Sequence, residues 1–389
     1  MTGALLTAGD ALPAPMAAPD VLQQRIDRTV QRLDHHIDRL CPRAPAQARA
    51  AWLPLGHPVE TEPADAPSLD DRLHRALSAP VRHLTDAAGR RWRPAMIWET
   101  VGLLGGDSEH CGPLIAATEL LHTGSLMVDD VQDASPLRRG KPAAHTVFGT
   151  PTALNAGTAA YFLWDRAVEL TYPDDVRRGG DLRALLLTAL RAGHAGQALD
   201  LQGHREEMDR AVARGDRDVV LNVVRLTHRL KSGAPVSAGM EMAAVVTGAA
   251  PELRAALVAF GSAVGTAYQI ADDIADLRGV TRAGQPTKQA AEDLRNGKVT
   301  MPLAHAVGRL PQSCLERLWH RIGEGSLDDE EVGRAREQLE DCGAVRAGRE
   351  EADHMVRDAW DRLAPLLPRP NRHLLLDLAL LIVRSKQVA

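Results

Sequence analysis

The chain has 389 residues, 44% of them hydrophobic and 25% charged, with a formal net charge of −5. That length can bury a large core, and the nearly balanced charge gives no reason to expect nucleic acid or a strongly acidic partner, so any charged ligand must be held by a local cluster. Aromatic residues make up only 3% and alternating β-branched runs are absent, so helices packed on helices are expected and the fold class is read as all-α.

Residues 1–19 contain no lysine or arginine, the first being Arg25, and read as a disordered leader rather than a secretory signal. Residues 20–389 read as a single domain. Val21, Ile26, Val30, Leu33, Ile37 and Leu40 predict an amphipathic helix that ends near Cys41-Pro42. Prolines 42, 45, 54, 58, 63 and 67 mark a loop, and Ser68-Leu69-Asp70-Asp71 resembles a capping box opening the next helix. Helical patterns then continue to the C-terminus with short Gly/Pro breaks and no linker. The uncharged run 255–271, interrupted by glycines, and the apolar run 374–383, broken by Asp377, fall short of a bilayer span. Cys41, Cys111, Cys314 and Cys342 form no C-x-x-C pair and no H-E-x-x-H occurs, so neither a disulfide framework nor a zinc motif is expected. Free thiols fit a reducing cytoplasm.

One pattern occurs twice: LMVDDVQD ending at Asp133 and QIADDIAD ending at Asp276. On a helix Asp129 and Asp133 lie about 40° apart with Asp130 one residue round, and Asp272, Asp273 and Asp276 repeat the arrangement. Like charges so spaced cost a helix about 0.2–0.5 kcal/mol and more when desolvated, so cations are required. A single D-D-x-x-D would read as a solvated helix end. Two copies, each closing an uncharged run, point instead to matched carboxylates facing one cavity. Carboxylates without His or Cys suit Mg²⁺, which is completed by waters and substrate phosphates. Arg138-Arg139, the arginines of GRRWRP (Arg90, Arg91, Arg93), Lys231, Lys288 and Lys298 are the candidate phosphate grips.

From about residue 69 onward these elements resemble the trans-isoprenyl diphosphate synthases, or polyprenyl synthetases. The resemblance rests on GRRWRP, ELLHTGSLMVDDVQDASPLRRGKPAAH, GTPTALNAG, GQALD, LKSG, AYQIADDIADL and EDLRNGKVTMP, in the family's order. It implies a bundle of long helices around a deep central cavity, usually a homodimer, that condenses isopentenyl diphosphate with an allylic diphosphate. It also implies that Asp129, Asp130, Asp133 and Asp272 hold Mg²⁺, three ions per site, on the allylic diphosphate, with Asp273 and Asp276 serving the second wall. Arg138, Lys231 and Lys288 would grip that group. Arg90, Arg93, His122 and Arg139 match isopentenyl diphosphate positions, and Ser232, Gln269 and Lys298 match further active-site positions. Arg90, Ser232, Thr158 and Thr287 depart from the usual lysine, threonine, aspartate and glycine.

Gly124 and Ser125 are expected to line a product tunnel below Asp129. Short-chain relatives commonly carry an aromatic residue there, so its absence argues for a product beyond fifteen carbons, geranylgeranyl diphosphate first. Tyr161, Phe162 and Trp164 are candidates for the floor. A class I terpene cyclase and a regulatory subunit of a heteromeric synthase are the alternatives. The first would leave Arg90, Arg93 and His122 without a task, and the second should have lost an aspartate cluster.

Overall fold

A computed structural model describes residues 18–53, 67–87, 89, 91–282, 285–288, 291–325, 327–369 and 372–387. The leader, apart from Ala18 and Pro19, and the prolines at 54, 58 and 63 therefore lie outside the described residues. Helix α1 (Pro19–Leu40) ends where the Cys41-Pro42 signal places it. Its buried stripe starts one residue later than expected, because Leu22 is 1% exposed and Val21 56%. Counting back four from Ile26 reaches Leu22, whereas Val21 falls off that face. Ser68 caps the helix Leu69–Leu73, its side chain accepting from the Asp71 amide.

The bundle is built from α2 (Trp92–Leu103), α3 (Gly112–Gln132), α4 (Thr150–Ala159), α5 (Leu163–Thr171) and α6 (Val176–Gln202). Helix α7 (Arg217–His228) runs into α8 (Ala234–Thr247) through one wide turn, Arg229–Gly233, where the Ala234 amide donates to Arg229 O five residues back. Then follow α9 (Pro251–Arg278), α10 (Met301–Ala306), α11 (Ala344–Leu363) and α12 (His373–Gln387). Two small antiparallel hairpins interrupt the helices: β1 (Leu137–Arg138) with β2 (Lys141–Pro142), and β3 (Val280–Arg282) with β4 (Gln285–Lys288).

The apolar interior divides in two. One core surrounds α9 through Phe260, Val264, Ile270 and Ile274, and the other surrounds α3 through Leu114, Ile115, Leu120 and Met127. Helix α1 belongs to both, giving Leu22 and Ile26 to the first and Leu33, Ile37 and Leu40 to the second. The central cavity draws its walls from both cores, with Met96 and Val236 from one and Ile97, Trp164 and Leu185 from the other. Among the described residues no helix is long and apolar enough to cross a membrane.

Candidate active site

The aspartate-bearing ends of α3 and α9 open on one cavity of about 920 Å³. Asp129, Asp133, Asp272, Asp273 and Asp276 line it. Asp130 does not. One residue round a helix is about 100°, and that rotation buries the Asp130 side chain completely. Its Oδ1 accepts from Arg138 Nε at 2.7 Å, so this expected metal ligand instead anchors the arginine delivered by the first hairpin.

The first wall is threaded with cations. Lys231 Nζ lies 2.8 Å from Asp200 Oδ2 and 3.2 Å from Asp129 Oδ1, and Lys298 Nζ lies 3.0 Å from Asp133 Oδ2. Gln197 Nε2 donates to Asp129 Oδ1 at 2.9 Å. Burial works to raise the Asp129 carboxyl, but Lys231 and Arg138 outweigh it and hold the group below its ordinary range. Asp200 is lowered in the same way by Lys231 and Lys298. Burial would lower both ammoniums, yet the facing aspartates raise them, so all four groups are charged at neutral pH.

The second wall is tied to the chain that follows it. Asp273 Oδ2 accepts from the Met301 amide at 2.8 Å and stands 3.3 Å from His228 Nε2. Asp276 Oδ2 accepts from the Asp293 amide at 3.1 Å. Gln269 Nε2 lies 3.4 Å from Asp273 Oδ1, and Ser232 Oγ donates to Gln269 Oε1 at 2.6 Å. Two aspartates thus fasten the segment that carries Lys298, while Asp272 stays partly open to the cavity.

A second basic pocket shares the cavity. The Arg93 guanidinium stacks 4.4 Å from the Trp92 ring centre and 5.2 Å from that of Tyr268, and its Nη1 is 3.2 Å from His122 Nε2. Burial, reinforced by the Arg93 charge, holds His122 well below its ordinary value. It is therefore neutral, with Nε2 free to accept. Arg139 completes the group, its Nη2 3.1 Å from Glu119 Oε1. Arg90 and the side chain of Lys288 lie outside the described residues.

A family model for polyprenyl synthetase matches residues 74–339. The chain belongs to the polyprenyl synthetase family. It is a prenyl-transferring enzyme of the prenyl diphosphate synthase type, for which Mg²⁺ dependence is standard. A short chain isoprenyl diphosphate synthase of Methanothermobacter thermautotrophicus is 31% identical over 305 residues, spanning 77% of this chain and 87% of the relative. A geranylgeranyl pyrophosphate synthase of Geoglobus acetivorans is 29% identical, spanning 80% and 91%. Among solved structures, a polyprenyl synthase from Caulobacter crescentus, complexed with calcium and isoprenyl diphosphate, superimposes with a TM-score of 0.73 at 28% identity, covering 95% of this chain and 99% of that one.

For a polyprenyl synthetase the donor set fits Mg²⁺: carboxylate oxygens from two walls of one cavity, with lysines and an arginine placed for phosphate oxygens. Gln197 and Asp200 were not singled out in the sequence, although GQALD sets them at i and i+3 on one face of α6 beside the first cluster. His228 carried no sequence signal at all. The tunnel needs one correction. Ser125 lines the cavity, but Gly124 faces α4, where an added Cβ would overlap Gly157 O and stand 2.9 Å from Ala160 Cβ. Tyr161 and Trp164 line the cavity with Leu185 and Leu186, whereas Phe162 is 69% exposed and outside it. Thr158 is also exposed, its hydroxyl bonded back to Leu154 O.

Proposed function

We propose that the protein condenses isopentenyl diphosphate with an allylic diphosphate to a linear all-trans prenyl diphosphate, with geranylgeranyl diphosphate as the main product. The observation that carries this reading is two separate sets of phosphate-binding groups in one cavity, Lys231, Lys298 and Arg138 by the aspartates, and Arg93 and Arg139 with the neutral His122, together with apolar lining. A terpene cyclase binds one diphosphate and would leave the Arg93 pocket idle. A silent regulatory subunit would have no reason to keep both aspartate walls and the lysines.

Mg²⁺, three ions by family analogy, would be held by Asp129, Asp133 and Asp272 and supplies charge stabilisation to the departing diphosphate. Lys231 and Lys298 turn from their aspartates to phosphate oxygens, and Arg138, braced by Asp130, meets the same group. Lys288 is assigned there too, and Arg90 to the second diphosphate with Arg93 and Arg139. That pocket sets the isopentenyl double bond beside the allylic carbon, while the apolar walls keep water from the cation. The allylic carbon–oxygen bond breaks, the new carbon–carbon bond forms, and the proton lost from the product passes to the released diphosphate.

Product length follows from the floor. Trp164 is buried, and its Nε1 donates to Leu182 O at 3.2 Å, which holds the ring in the part of the cavity wall assigned, with Leu186, as the floor. Leu186 is about 16 Å along α6 below Gln197, whereas a barrier at Ser125 would stop the chain about 6 Å below Asp129. The name of the Geoglobus relative supports the same length. Phe162 and Leu187, large apolar side chains 69% and 60% exposed, are consistent with the homodimer usual in the family. Four cysteines without disulfides support a cytoplasmic location.

The test supplies isopentenyl diphosphate, Mg²⁺ and each allylic primer in turn, then chromatographs the dephosphorylated products. A twenty-carbon linear alcohol is expected. A cyclic hydrocarbon would favour the cyclase, and no product from any primer would defeat the catalytic reading.

A further inference from the structure

Away from the cavity, where α1 passes the loop before α3, we propose that His35, His36 and Glu109 form a binding site for a zinc-class transition-metal ion. Their donor atoms all lie within 4.8 Å of one another. This inference is independent of the reaction proposed above.

The distances separate a metal site from an ion pair. His36 Nε2 is 3.3 Å and His35 Nε2 3.6 Å from the same atom, Glu109 Oε1. A direct charge-assisted hydrogen bond would close to about 2.7–2.9 Å. Around a tetrahedral ion with bonds of about 2.0–2.2 Å, adjacent ligand atoms stand about 3.4 Å apart. The two observed separations bracket that value.

His36 supplies a second observation. Its side chain is 5% exposed, and both ring nitrogens are buried without a hydrogen-bond partner. Apart from the long contact to Glu109, such a buried polar group calls for an explanation, and a bound ion supplies one. The ring lies against Gly112, where any Cβ would overlap it, so the first residue of α3 is one that leaves room for the imidazole. The two imidazoles are 3.6 Å apart, centre to centre.

Two nitrogen donors disfavour Mg²⁺, and a His₂Glu set suits Zn²⁺. His35 and Glu109 are 55% and 56% exposed, which leaves one side open to water as fourth ligand. The ion would clip α1 to the chain entering α3. Helix α1 also lines the cavity through Gln23, Asp27 and Val30, so the clip would steady a wall of the active site from outside it. The ligands come from two elements, which is why no sequence motif shows them.

The experiment titrates Zn²⁺ into chelator-treated full-length protein in excess Mg²⁺, with Co²⁺ as a parallel absorbance probe. His35→Gln and Glu109→Gln are the variants, chosen because both side chains are exposed and their loss leaves the core intact. The wild type should take up one equivalent of Zn²⁺ that each variant binds at least 10-fold more weakly. Its Tm should rise with Zn²⁺ while theirs do not, and prenyl transfer with Mg²⁺ should be unchanged in all three. Equal Zn²⁺ binding and equal Tm shifts in wild type and variants would overturn the proposal. So would uptake lost only in Asp129→Asn, which would assign the ion to the cavity.

Discussion

Asp129 and Asp130 are adjacent and have opposite surroundings, one in the cavity beside Lys231 and the other sealed beneath Arg138. Asp129→Asn should lower kcat at least 100-fold with an unchanged helical circular dichroism spectrum, since metal-assisted stabilisation contributes several kcal/mol. Asp130→Asn should act through Arg138, raising the allylic KM more than it lowers kcat. If the two variants were kinetically alike, the different placing of the two carboxylates would have no functional meaning. Arg93→Gln should raise the KM for isopentenyl diphosphate more than that for the allylic substrate, which separate titrations would check. Gly124→Ala should destabilise by about 1–3 kcal/mol through overpacking against Gly157, and leave product length unchanged. Ser125→Phe, one position on, should shorten the product instead. The sequence made the aspartates legible because repelling charges at helical spacing demand a counter-ion. It could not show which way Asp130 or Gly124 faces, because on a helix buried on several sides the apolar pattern no longer marks one inward face.

At the scale of elements, Glu351 of α11 joins three helices, 2.5 Å from Arg225 Nε of α7 and 2.9 Å from His305 Nε2 of α10. Burial would raise its carboxyl, but the bonds from His305 and Arg225 outweigh it and bring the group down from 4.5 to about 2. A depressed folded-state value stabilises above the unfolded value and loses that contribution as pH falls through the folded one. Thermal melts of Glu351→Gln should therefore lie below wild type at pH 7, with the gap closing between pH 4.5 and about 2. A gap independent of pH would mean that packing, not charge, holds these helices. The ends of α1 and the Ser68 cap were readable from local chemistry, because prolines and side-chain caps act within a few residues. The hairpins were not, since strands of two to four residues carry too little alternation to register. That Asp273 and Asp276 would fasten the Lys298 segment depends on long-range amide contacts, which no spacing announces.

Across the whole molecule, two apolar cores both contribute walls to the cavity, and the proposed floor at Trp164 and Leu186 can be tested by opening it. Leu186→Ala should shift the product toward longer chains by opening space beside Trp164; an unmoved product profile in the active variant would place the floor elsewhere. Trp164→Ala should shift it further, at a stability cost of about 3–5 kcal/mol. The family pattern foretold a cavity, but that Trp164 of α5 and Leu185 and Leu186 of α6 line it together depends on the two helices meeting, which is written in neither alone. The wide turn at Arg229–Gly233 bears on how such an enzyme can vary. A turn closed five residues back holds one residue more than an ordinary one, yet leaves the helices on either side facing as they would without it. Removing a single residue there would let the rod from Arg217 to Thr247 re-form at uniform pitch, while Lys231 and Ser232 were drawn back from the cavity. The fold would tolerate a change of length by one at that point, and the chemistry would not.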